Sequence, residues 1–151
     1  MAKLSFSAQV AAFAEKIPGA VESVFKESVQ EVVAEMQTPK DAGGRMRVHT
    51  GFMRASLMAS TAAMPSINPS ARPPAGTEPK SIPYVEDSIE AVITGADIND
   101  TLYFGYTAAY AGYREYGTNG QPADAFVRLA AQNWSEIVDR KAKELKGRLG
   151  L

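Results

Sequence analysis

Apolar side chains recur at steps of three and four from Ser7 to Gln37: Val10, Phe13 and Ile17, then Val21, Phe25, Val29, Val32 and Met36. That spacing predicts one long helix with an apolar stripe. Pro18-Gly19 interrupts the pattern. Proline suits the first turn of a helix better than its interior, so a kink or restart is expected there. Thr38-Pro39 ends the run, and Lys40 to Arg47, which contains Gly43-Gly44, reads as a loop.

Thr50-Gly51 predicts a turn, and the breaker-free run from Phe52 to Ala63 predicts a strand after it. Met64 to Pro83 differs in kind, holding six of the nine prolines together with Ser, Asn, Thr and Gly. It reads as a proline-rich loop or arm, mobile in the free subunit. Val85, Ile89, Val92 and Ile93 share one helical face, which predicts a helix from Tyr84 to Thr94 stopped by Gly95. Asn99-Asp100 makes a turn. Leu102, Phe104 and Tyr106 alternate along a strand from Thr101 to Tyr106. Tyr110 to Tyr116 reads as a short helix closed by Gly117. The last element carries Phe126, Leu129, Ala130, Ile137, Val138 and Leu145 on one face, which predicts a single helix to about Lys146 with Asp124 as its N-cap and Trp134 in the core. Long helices at both ends, flanking a small antiparallel sheet, make this one α+β domain over 1–151.

Composition narrows the chemistry. The chain has 151 residues, 45% hydrophobic and 22% charged, as in an ordinary globular domain. No apolar run is long enough to cross a bilayer, and the first residues lack a secretory pattern, so a cytoplasmic site of synthesis and no membrane partner are expected. The absence of cysteine excludes disulfides, thiolate catalysis and cysteine-bound zinc, and His49 is the single histidine. A formal net charge of −1 argues against bulk electrostatic binding to nucleic acid. Arg45, Arg47, His49 and Arg54 form the one local basic cluster, which leaves contact with DNA open as an alternative. Asp97, Asn99 and Asp100 resemble a calcium loop only loosely, because the required glycine and distal glutamate are out of register. Gly117-Thr118-Asn119-Gly120 lacks the lysine and strand-to-helix setting of a phosphate loop. A small hydrolase using His49 is the enzymatic alternative, but no companion base or nucleophile stands near it in sequence. No catalytic residue, cofactor or metal ligand is assigned.

Tyr103, Tyr106, Tyr110, Tyr113 and Tyr116 fall within fourteen positions. Tyrosine offers large area and a hydroxyl at low rotamer cost, so the cluster, with Gly117 and Thr118, points to a subunit interface. Three stretches then carry a likeness: Val48-His49-Thr50-Gly51-Phe52-Met53-Arg54-Ala55-Ser56-Leu57, Tyr110-Ala111-Gly112-Tyr113-Arg114-Glu115-Tyr116-Gly117-Thr118, and Ala125-Phe126-Val127-Arg128-Leu129-Ala130. In this order they resemble the tail-completion (neck) proteins of long-tailed bacteriophages and related prophage particles. His49 stands where an aspartate is usual and Ala125 where a proline is usual, and the proline-rich stretch would be an insertion. The resemblance implies a structural virion protein, not an enzyme. It would form a homo-oligomeric ring, a hexamer, that caps the tail tube protein and docks it to the head connector or stopper protein. Assembly in the host cytoplasm, a final place in the virion neck and passive contact with channel DNA go with it. A minor capsid or tail-tube-associated protein is the alternative within that class. Between the two charged motif residues Arg54 and Glu115, each beside a glycine-containing motif, an ion pair is expected.

Overall fold

The computed structural model describes residues 5–150, apart from the side chains at positions 11, 13 and 14. The fold is α+β, with a long N-terminal helix and a C-terminal helix set against a two-stranded antiparallel sheet. Helix α1 spans Phe6–Gln37 and is capped by Ser5, whose side chain accepts the Ala8 N–H. It runs through Pro18 as one element instead of restarting there. Strong helix formers on both sides, Ala12 and Lys16 before and Ala20 and Glu22 after, carry it across the lost hydrogen bond.

A short 3-10 turn at Lys40–Ala42 leads into an isolated bridge between Pro39 and Met46. The run after Thr50-Gly51 begins as a helical turn, α2 (Phe52–Ala55), and becomes a strand only at β1 (Leu57–Ser60). Helix α3 (Asp87–Gly95) and strand β2 (Tyr103–Tyr106) follow, and β1 pairs antiparallel with β2, Leu57 opposite Tyr106 and Ser60 opposite Tyr103. Next come α4 (Ala111–Tyr116), α5 (Phe126–Gln132) and α6 (Trp134–Leu149). The expected single terminal helix is therefore two, broken at Asn133. Asp124 does not cap α5, since the N-cap position is Ala125 in left-handed backbone, φ 52°.

Two cores result. Val29, Val33 and Met36 of α1 meet Leu57, Ile89, Ile93 and Ala130 in the larger one. Met46, Met53, Ala108, Ala111 and Phe126 form the smaller one beneath α4. Helix α6 turns back along α1, fastened by Arg140 and Lys141 on Glu31 and by Arg148 on Glu27. Trp134 is not core: it is 37% exposed at the start of α6, edge-on to Phe25.

The proline-rich stretch is hydrogen-bonded to the body near both of its ends. The Asn68 N–H donates to Thr107 O, the Lys80 N–H to His49 O and the Ile82 N–H to Thr50 O. Ile82 comes so close that a Cβ on Gly51 would lie 2.1 Å from its carbonyl oxygen, and Gly51 also has φ 95°. Only glycine fits there.

Candidate functional site

The first motif stretch lies far from the other two in sequence, and all three meet on the smaller core, Val48, Phe52 and Met53 against Tyr110, Ala111 and Phe126. Helix α4 brings Glu115, 6% exposed, against the start of α5. The Glu115 carboxylate accepts the N–H groups of Val127 and Arg128, each at 2.9 Å, and the Arg128 guanidinium at 3.1 Å. A carboxylate at a helix N-terminus satisfies backbone donors that the helix itself leaves open and complements the helix dipole. Glu115 thus caps α5 from another element. The left-handed turn at Ala125, whose N–H donates to Glu115 O at 3.2 Å, aims the first turn of α5 at that side chain.

Asp124 plays the matching part on the other side. Buried, it accepts the Arg47 backbone N–H at 3.1 Å and the Arg47 guanidinium, while Arg45 Nε donates to Asp124 O at 2.8 Å. Arg47 also reaches Pro122 O and Gln121 Oε1. The basic cluster is thus spent largely on holding the 121–124 segment. His49 is exposed, with Met46, Thr50, Gly51 and Tyr110 around a cleft of about 30 Å3, and no carboxylate lines that cleft.

The expected Arg54–Glu115 pair does not form. Arg54 Nε donates to Gln37 O at 2.8 Å, and its guanidinium lies 5.1 Å from the centre of the Tyr84 ring. Buried Gln37 closes the arrangement, donating to Arg54 O at 2.9 Å and accepting the Tyr106 hydroxyl at 2.7 Å. These bonds tie α1, α2 and β2 together. A polar residue at the end of a long helix gave no sequence sign of this role.

The five clustered tyrosines divide. Tyr106 belongs to the interior, edge-on to Phe126 with centroids 5.2 Å apart, and burial pushes its phenol well above the usual tyrosine range. This removes it from the expected interface set. Tyr110 stacks on Phe52 and Tyr103 is half-buried on β2; burial also raises the Tyr110 phenol. Tyr113 and Tyr116 are 63% and 70% exposed on α4. Arg128 covers the Tyr116 ring at 5.0 Å, so the guanidinium that bonds Glu115 also fixes this aromatic surface. Beside it, Gly117 turns the chain at φ 85°, and half-buried Gly117 and exposed Thr118 start a turn closed by reciprocal bonds between Thr118 and Gln121.

The remaining motifs close turns. Asp100 Oδ2 accepts the Asp97 N–H, and Asp97 Oδ1 accepts from Asn99. Among the described residues no group of three His, Cys, Asp or Glu side chains is placed to hold a metal ion. No family model, curated protein or solved structure matches this chain.

Proposed function

We propose that this chain is a structural subunit of a phage particle, which completes the tail and joins it to the head connector as a ring of copies. Its neighbours would be the tail tube protein on one side and the connector or stopper protein on the other. One observation carries the reading. The three motif stretches pack on one small core, their charged residues Arg54 and Glu115 are each bonded within the fold at separate places, and aromatic Tyr113 and Tyr116 stand exposed on α4. Residues used in this way shape a scaffold and present a contact face. Tyr116, already held by Arg128, loses little freedom on docking, which favours its use as an anchor.

Electron microscopy of lysates provides the test. Loss of the protein is expected to leave DNA-filled heads and tails made but unjoined. Tyr113→Ala or Tyr116→Ala is expected to act in the same direction, since interface aromatics commonly contribute about 2 kcal/mol or more and a closed ring repeats the loss at every contact. Normal numbers of joined particles in the deletion would overturn the proposal.

A further inference from the structure

The chain has four asparagines, at positions 68, 99, 119 and 133, and only Asn119 is followed by glycine. The carbonyl carbon of an asparagine side chain is open to attack by the backbone nitrogen of the next residue, provided that nitrogen is uncrowded and both groups are free to approach. Three of the four asparagines fail this condition. Asn68 precedes Pro69, whose ring nitrogen has no proton to give up. The Asn99 amide donates to Asp97 Oδ1 at 3.0 Å, and the Asp100 N–H after it donates to Asp97 O at 2.9 Å. The Asn133 amide donates to Glu35 Oε2 at 3.0 Å, and the bulky Trp134 after it opens α6.

Asn119 has none of these restraints. With Gly120 it forms the tip of a tight turn, closed by the Thr118 N–H on Gln121 O at 3.1 Å and the Gln121 N–H on Thr118 O at 2.8 Å. Both tip residues are exposed. Neither the Asn119 side chain nor the Gly120 backbone N–H is hydrogen-bonded to a described residue. Gly120 takes φ 75°, and nothing lies within 4 Å of where its Cβ would stand, so the space around the reacting groups is open.

We propose that Asn119 is a site of spontaneous deamidation in the folded protein. The Gly120 nitrogen attacks Asn119 Cγ, and the new C–N bond closes a cyclic imide. The bond from Cγ to the side-chain nitrogen breaks, and that nitrogen leaves as ammonia, taking the proton that Gly120 gives up. Water then opens the ring. Its addition at Cγ gives aspartate, whereas addition at the Asn119 main-chain carbonyl carbon gives isoaspartate, in which the main chain runs through the former side chain. Water is the sole co-reactant.

Either product adds one negative charge to a chain whose formal net charge is −1, in the turn that follows Tyr116 and Gly117. Isoaspartate also lengthens the main chain between Thr118 and Gln121 by one methylene, which strains their reciprocal bonds and shifts Gln121, the acceptor of Arg47 Nη1 at 3.1 Å. The chemistry is independent of the tail-joining reading, because it needs no other chain.

Incubation of the full-length protein in warm, mildly alkaline buffer tests this, with circular dichroism verifying that it stays folded. Trypsin releases Asn119 in the peptide 115–128. Against an unincubated control, that peptide is expected to gain one mass unit and to split into two chromatographic forms of equal mass, aspartate and isoaspartate, before the peptides carrying Asn99 or Asn133 change. The intact protein is expected to shift to a more acidic form on ion exchange. Asn119→Gln, whose longer side chain closes the ring poorly, should abolish that shift. Conversion of Asn119 no faster than of Asn99 or Asn133, aspartate without isoaspartate, conversion in urea but none in native buffer, or an unchanged shift in Asn119→Gln would each overturn the proposal.

Discussion

Replacing Glu115 with alanine tests the node directly. The carboxylate accepts two backbone N–H groups in the first turn of α5 and the Arg128 guanidinium. Without it both donors lose their partner in a region where Glu115, Ala125 and Phe126 are all buried. A helix cap is worth about 1 kcal/mol, and each buried donor left unsatisfied costs about 1–3 kcal/mol. The Arg128 side chain is 47% exposed, so its ion pair adds little. Glu115→Ala is therefore expected to destabilise the protein by about 3 kcal/mol, equivalent to roughly 6–12 °C in melting temperature for a chain of this size. Glu115→Gln keeps one acceptor oxygen and should lose about half as much. Urea denaturation followed by circular dichroism measures both. Double-mutant cycles add the discrimination: Glu115 should couple to Arg128 and show no coupling above about 0.3 kcal/mol to Arg54. An alanine variant within about 0.5 kcal/mol of the wild type, or a strong Arg54 coupling, would refute the reasoning.

Three further substitutions probe separate parts of the fold. Burial raises the folded-state pKa of Tyr106 above its unfolded value, so the folded state holds a proton that the unfolded chain releases. Its stabilisation is complete below about pH 10 and falls as pH rises further. Tyr106→Phe should lower stability by about 1 kcal/mol at neutral pH, through the lost bond to Gln37, and flatten the decline above pH 10; equal slopes in alkaline titrations of the two proteins would contradict this. Gly51→Ala combines positive φ with a clash against Ile82 O and should cost about 3 kcal/mol or more, read as a lower urea midpoint. Ala125→Pro cannot adopt φ 52° and removes the N–H that bonds Glu115 O, so a loss of about 3 kcal/mol is expected; wild-type melting would mean that the left-handed turn is not needed.

The positions that sequence reading placed correctly are those whose environment repeats along the chain. The second half of the α1 stripe, from Phe25 to Met36, the alternation of Leu102, Phe104 and Tyr106, and Ile89 and Ile93 of α3 each pack one side of a regular segment on the larger core, and regular burial leaves a period in the sequence, whereas Val10, Ile17, Val21 and Val85 of the same patterns are exposed. What it missed is set by contacts between distant segments. Apolar spacing continues from Phe126 through Ala130 to Ile137 across the break at Asn133, because both α5 and α6 face the same α1. Glu115 and Arg54 sit in neighbouring motifs and carry opposite charge, which makes their pairing the simplest reading of the residues alone. The pairing fails because Ala125 takes a backbone conformation that no residue-type pattern announces, and this directs α5 onto Glu115.

The same contrast divides helix α1. Within α1, Val29, Val33 and Met36 are buried in the chain's own core, whereas Phe6, Val10 and Val21 are half or more exposed. Exposed Phe6 and Val10 add nothing to the packing of the isolated domain. The node at Glu115 and Asp124 uses its charge to fix the shape of one end, while the far end of α1 keeps its apolar face unfilled. Polar groups are bonded inward at the one end, and apolar groups are left outward at the other.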